Sequence, residues 1–192
     1  MSDAEEVGSK PGDCLASHPV HRGRVVDLSI DRVRFPDGSL GELEMIRHSG
    51  AAAILPLFGN PADTDPDLLL IRQYRYATGG YLYEVPAGRP DREGEPWEEC
   101  ARRELEEETG LRAGKLLRLT TIYTTPGFTD ERIHLFLATE LSEGSTSFDP
   151  DEFVEPVRIP VSRALEMIRS GEISDAKTIC TIGYFQAFVR GP

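Results

Sequence analysis

An α/β fold is the expectation for this chain of 192 residues, and three features carry it. Residues 24–35 set Val26, Leu28 and Ile30 against Asp27, Ser29 and Asp31, the period-two alternation of a half-buried strand. Ala51–Phe58, AAAILPLF, is short and almost continuously apolar, as a central strand buried on both faces should be. Residues 96–109 have helical periodicity, with Ala101 and Leu105 on one side and acidic residues on the other.

Taken in order, residues 1–20 are polar and proline-containing and read as a flexible segment. The strand in 24–35 is followed by the turn Pro36-Asp37-Gly38 and a returning strand over Leu40–Arg47. Residues 21–50 are thus N-terminal strands, and residues 51–192 form the main domain. After Ala51–Phe58 comes a loop over 59–67, then a strand over 68–76 that starts apolar and ends basic and aromatic, with Arg72 and Arg75 on opposite faces. Glu84-Val85-Pro86-Ala87-Gly88 reads as a strand end running into a loop of glycine and charge. Pro96 suits a helix start and Gly110 a left-handed stop. Strands follow over 116–123 and 133–140, separated by the Pro-Gly loop 124–132. Residues 142–156 read as a polar, acidic loop and 157–161 as a last short strand. Ser162 can cap a helix to Arg169, stopped at Ser170-Gly171, and 176–189 carries Ile179, Ile182, Phe185 and Phe188 at helical spacing, most simply as core.

If 96–109 is helical, Glu104 and Glu108 lie one turn apart with Glu107 beside them, so three carboxylates share one face. Their repulsion is worst at the C-terminal end, where the helix dipole disfavours anions. Two answers are open: a solvated acidic face, or a hard divalent cation that takes oxygen ligands. The arginines Arg72 and Arg75 have a similar pair of readings, surface pairing with the abundant carboxylates or binding of phosphate by the guanidinium fork.

A net charge of −12 and a pI near 4.8 argue against non-specific nucleic-acid binding, but not against a nucleotide whose charge a metal offsets. Cys14, Cys100 and Cys180 are odd in number and far apart, which points to neither a disulfide framework nor a zinc site, and to a reducing compartment. Neither a signal-peptide core nor an apolar stretch of about 20 residues is present, so a cytoplasmic protein away from the membrane is expected.

Gly88, Glu95, Arg103, Glu104, Leu105, Glu107, Glu108, Gly110 and Leu111 together resemble the Nudix hydrolase signature. One departure is that six residues, Arg89 to Gly94, separate Gly88 from Glu95 where five are usual, an insertion that a loop tolerates. The resemblance covers about residues 20–190 and implies an α/β/α sandwich with a mixed sheet and an N-terminal antiparallel strand extension. It implies Mg²⁺, with Mn²⁺ as an alternative, held by Glu104 and Glu108 with Glu107 and the carbonyl of Ala87 completing the shell, while Arg103 orients a glutamate. Pro126, Gly127 and Glu131 match a landmark of the ADP-ribose pyrophosphatase branch, which makes Gly127 and Glu131 substrate-binding candidates beside Arg75 and Arg72. In that branch the base comes from a mobile loop. Asp151, Glu152 and Glu155 lie in the corresponding loop, with Glu152 chosen and Glu155 next.

The implied activity is hydrolysis of a nucleoside diphosphate sugar, foremost ADP-ribose to AMP and ribose 5-phosphate. GDP-mannose or ADP-glucose is the alternative. A module that senses ADP-ribose without cleaving it is disfavoured, because every signature glutamate is present. The resemblance also implies a homodimer that exchanges its N-terminal strands; the charge and the lack of a long apolar stretch lead to the expectation of no nucleic-acid or membrane partner.

Overall fold

A computed structural model describes residues 12–23, 25–147 and 153–190. It divides into two compact units, Met1–His48 with Thr125–Glu131, and Ser49–Thr124 with Arg132–Pro192.

The first unit is an antiparallel three-stranded sheet of β1 (Cys14–Arg22), β2 (Asp27–Arg34) and β3 (Leu40–Arg47), in the order β1-β2-β3. The β2–β3 turn is closed by Asp37, whose carboxylate accepts from the Ser39 amide at 2.9 Å, and by Gly38 at φ 85°. β1 falls where a flexible segment is expected. Its residues are nearly all exposed and do not alternate, so only its backbone pairing with β2 makes it a strand. Asp31 on β2 is buried and accepts from Ser17 and Ser29 at 2.6 and 2.9 Å while pairing with Arg47. Residues 125–131 join this unit through the Ile46 amide, which donates to the Phe128 carbonyl at 2.7 Å, and the His48 amide, which donates to Asp130 at 2.9 Å.

The second unit is built on a seven-stranded sheet. β4 (Ala51–Phe58) lies at its centre between β5 (Asp67–Arg75) and β9 (Arg132–Glu143), with β10 (Val154–Pro160) beyond β5 and β8 (Leu111–Tyr123) beyond β9. β6 (Gly80–Glu84) also pairs with β5, and the two-residue β7 (Ala87–Gly88) with β4. The sheet is mixed, since β4 runs parallel to β9 and antiparallel to β5.

Both faces of β4 are covered, as its unbroken apolar run requires. Ala53, Leu55 and Leu57 face a cluster with Leu68, Leu70, Leu135 and Leu137 that is roofed by α2 (Val161–Ser170) and α3 (Ala176–Tyr184), α3 continuing as a π turn over Phe185–Val189. Ala52 and Ile54 face the other way, onto Phe136, Ala138 and the buried side of α1 (Trp97–Thr109), namely Cys100, Ala101 and Leu105. Burial of each such leucine or isoleucine contributes about 1.5–3 kcal/mol. This is the α/β/α sandwich, with α1 on one face and α2 and α3 on the other.

Several boundaries differ from those read in sequence. β8 starts at Leu111 and not near 116, because Arg112, Gly114 and Lys115 hide a strand whose pairing with β9 is continuous through Ala113 and Lys115. α2 is preceded by Pro160 as its N-cap, and Ser162 lies inside it: the Ser162 amide and hydroxyl both donate to Asp65, at 2.9 and 2.6 Å. The loop expected over 142–156 is shorter at both ends, since β9 reaches Glu143 and β10 starts at Val154. Its described residues tie back to the end of α1, where the amides of Gly144 and Ser147 donate to the carbonyls of Gly110 and Glu107 at 2.7 and 3.0 Å.

Candidate active site

The site grows from the passage between β6 and α1. After Glu84 the chain crosses Val85 and Pro86, and the Pro86 carbonyl accepts from the Ile54 amide at 2.9 Å. Ala87 and Gly88 then pair with Ala53 and Ala52 of β4, so a rigid central strand holds this loop. The loop with the extra residue turns at Gly94, φ 78°, and is pinned by the nearly buried Glu95, which accepts from the Asp91 amide at 2.9 Å. α1 then starts after Pro96 with Glu98 and Glu99 in its first turn, where the dipole favours anions, and stops at Gly110, φ 69°.

Arg103 is the hub of the helix face. Its Nη1 donates to Glu104 at 2.8 Å and to Glu107 at 2.9 Å, its Nη2 to the Arg89 carbonyl at 2.8 Å, and its Nε pairs with Asp91 at 3.1 Å. Glu95 lies 3.4 Å from the same guanidinium. Burial would lower the Arg103 pKa, but the bonds from Glu95, Glu104 and Glu107 outweigh it and hold the group well above the ordinary arginine range. One fixed cation therefore relieves most of the acidic crowding, and it does so by tying the glutamates to the glycine loop.

Glu104 lies against the backbone of that loop: a Cβ on Gly88 would collide with its carboxyl group, so a side chain at position 88 would push the carboxylate from its place. Glu108 is 3% exposed and accepts from the Ala87 amide at 2.9 Å. Cys100, buried beneath, is not reactive: burial first, and then the Glu104 charge, pushes its thiol up to about 12.

A second charged group lies along β5 and β6. Arg75 grips Glu84 with Nε at 2.8 Å and Nη2 at 2.9 Å, and Lys177 at the start of α3 bonds the same carboxylate. Lys177 also pairs with Asp175 at 3.1 Å. Burial raises the Glu84 pKa, but Arg75 and Lys177 outweigh it and keep the group ionised below the usual carboxylate range. The Arg75 pKa is raised, first by its bond to Glu84, and also by the charge of Glu108, which couples this group to the helix face. Neither Glu84 nor Lys177 stood out in the sequence as functional. A charged residue closing an apolar strand was the one available signal for Glu84, and Lys177 offered none.

The remaining candidates are placed as follows. Arg72 turns to the other face of β5, with its guanidinium 4.1 Å over the Tyr81 ring and 3.6 Å from Glu155. Glu155 is not in a loop: it lies in β10, directly opposite Arg72 in register. Asp151 and Glu152 fall outside the described residues. Gly127 and Glu131 belong to the first unit, where Gly127 is exposed and Glu131 lies 3.4 Å from the His48 imidazole.

Residues 48–181 match the NUDIX domain family. The chain belongs to the Nudix hydrolase family. This Nudix hydrolase is 41% identical over 175 residues to the ADP-ribose pyrophosphatase of Bacillus subtilis (strain 168), covering 90% of this chain and 91% of that one. It is 39% identical over 158 residues to the GDP-mannose pyrophosphatase of Salmonella paratyphi B (strain ATCC BAA-1250 / SPB7), covering 74% of this chain and 80% of the other. Its fold matches a crystal structure of an ADP compounds hydrolase with a TM-score of 0.79, at 23% identity over 94% of this chain and 95% of that one.

Nudix hydrolases generally work with divalent metal ions. Among the described residues no three His, Cys, Asp or Glu side chains already stand in metal-holding geometry, since Arg103 draws Glu104 and Glu107 and the Ala87 amide draws Glu108. The donor chemistry nonetheless fits such an ion. Glu104, Glu107 and Glu108 all offer carboxylate oxygens, and the space above Gly88 that a side chain would fill is where the Glu104 carboxylate lies.

Proposed function

We propose that this protein hydrolyses the diphosphate bond of a nucleoside diphosphate sugar with Mg²⁺, ADP-ribose foremost, releasing AMP and ribose 5-phosphate. The observation that carries this reading is the carboxylate face of α1, tied by Arg103 to the Gly88 loop and coupled electrostatically to Arg75. The similarity to an ADP-ribose pyrophosphatase over nine-tenths of the chain supports the sugar nucleotide, and that to a GDP-mannose pyrophosphatase keeps GDP-mannose as the second substrate to test. Turnover of a panel of ADP-ribose, ADP-glucose and GDP-mannose with Mg²⁺ decides among them. Absence of phosphate-monoester products from all three overturns the reading.

In this reading Glu104 and Glu108 hold the ion, with Glu107 and the carbonyl of Ala87 completing its shell; Mn²⁺ suits the same oxygens. When bound, a divalent ion polarises the phosphoryl oxygens and lowers the pKa of water. Arg103 keeps Glu104 and Glu107 in place against the loop. Glu152 takes the proton from the attacking water as the new P–O bond forms and the bridging P–O bond breaks. Gly127 and Glu131 contribute to holding substrate, and Arg72, on the far face of β5, takes a lesser part than Arg75.

Arg75 binds the diphosphate in the ground state. Its Nε and Nη2 are committed to Glu84, and among the described residues its Nη1 makes no hydrogen bond, which leaves that nitrogen for a phosphate oxygen. Arg75→Ala should therefore raise KM for ADP-ribose by about tenfold or more with a smaller fall in kcat, the pattern of lost uniform binding. An unchanged KM would return Arg75 to a purely structural pair with Glu84.

The protein acts in the cytoplasm as a homodimer formed through its N-terminal strands. Among the described residues no helix is long and apolar enough to cross a membrane. The three-stranded sheet exposes Leu15, Val20, Leu40 and Leu43, apolar side chains that a second copy would cover. Sedimentation equilibrium should give twice the chain mass, and Val20→Asp with Leu43→Asp should halve it. A monomer in the unsubstituted protein sinks this part of the reading.

A further inference from the structure

We propose that Lys177, on α3, is a positioning residue of the diphosphate site, acting through Glu84 on Arg75; the inference rests on the reading of Arg75 as a phosphate ligand. A lysine in the first turn of a helix stands at the positive end of the dipole, where local rules disfavour it. Its place must be explained by what it touches. Lys177 is 12% exposed, and its ammonium bonds Glu84, itself 2% exposed, and Asp175 at 3.1 Å.

Glu84 thus serves two cations, and its Oε2 accepts from both. Arg75 takes both its oxygens in a fork, which fixes the plane of the guanidinium and the direction of Nη1. Without Lys177 the Glu84 charge would fall on Arg75 alone and offset most of its attraction for a phosphate. With Lys177, one buried carboxylate is shared, and Arg75 keeps more of its positive potential toward the site.

The lysine is itself held in place. Asp175 accepts from the Thr178 amide and hydroxyl at 2.9 and 2.6 Å, and the Thr178 hydroxyl accepts from the Val85 amide at 2.8 Å. The start of α3 is therefore bonded twice to the end of β6, to the Glu84 carboxylate and to the Val85 amide that leads into the Ala87–Gly88 strand.

The test is a double-mutant cycle on ADP-ribose hydrolysis with Mg²⁺. Lys177→Met should raise KM by about tenfold, the scale on which outer-shell partners matter, while kcat stays within about twofold. Lys177→Arg should restore most of the affinity, and in an Arg75→Ala background Lys177→Met should add nothing further. A merely structural lysine would lower the melting temperature without the KM rise, or would add its effect to that of Arg75→Ala; either result overturns the inference while leaving Arg75 as a ligand. An unchanged KM in Arg75→Ala overturns the reading of Arg75 and this inference with it. Should the methionine variant not fold, Lys177→Gln, which keeps a donor without the charge, takes its place in the cycle with the same outcomes.

Discussion

Replacing Glu108 with glutamine is expected to lower turnover by about 10²- to 10³-fold, the scale of losing one preorganised electrostatic element, while the fold persists. Glu108 is 3% exposed and its carboxylate accepts from the Ala87 amide at 2.9 Å. Glutamine keeps the size of the side chain and an oxygen that can accept the same hydrogen bond, so only the charge is removed. That charge stands in the last turn of α1, where the dipole disfavours an anion. The native carboxylate is therefore retained against local preference, and the variant should melt at or slightly above the temperature of the unsubstituted protein. A second readout separates metal binding from turnover. A ligand that binds only the folded state raises its stability by RT ln(1 + [L]/Kd), so added Mg²⁺ should raise the melting temperature of the unsubstituted protein and raise that of Glu108→Gln much less. Unchanged turnover together with an undiminished Mg²⁺ shift would remove Glu108 from the metal site.

The parts of this molecule legible in its sequence are those where a local pattern has one structural solution. β3 begins and ends where a strand returning from the Pro36-Asp37-Gly38 turn is expected, β4 where its unbroken apolar run places it, and α1 lies between a proline that fits a helix start and a glycine that can take positive φ. β1 was illegible because its side chains are exposed and its order comes from a partner strand. The acidic face of α1 raised the need for a counter-charge, and Arg103, next to Glu104 in the chain, is where the structure supplies it. By contrast, Asp65 serves the Ser162 amide from 97 positions away, and Lys177 reaches Glu84 across 93. Such pairs arise only when the sheet is assembled, and no local period announces them. Arg75 and Glu84 lie between these cases: they sit on paired strands of one hairpin, so a register worked out for β5 and β6 would have put them on the same side.

Glu152→Gln should slow the chemical step by about 10²- to 10⁴-fold, the usual range for a general base, while Mg²⁺ and substrate affinity are kept. The argument is one of division of labour. Arg103 and the Ala87 amide engage the carboxylates of α1, and a base must be able to approach the water from another element. Glu155 is less suited than its sequence neighbourhood implies, because it is fixed in β10 opposite Arg72 and paired with it at 3.6 Å, although its side chain is 69% exposed. Glu152 lies outside the described residues, just before that strand, so its candidacy rests on the resemblance alone. Single-turnover cleavage and substrate Kd, measured side by side for Glu152→Gln and Glu155→Gln, separate the possibilities. Slow chemistry with unchanged Kd in the Glu152 variant alone supports Glu152 as the base. Slow chemistry only in the Glu155 variant would mean that the pair with Arg72 opens during turnover and that Glu155 takes the proton. If both variants cleave at the unsubstituted rate, the base is on another segment of the chain.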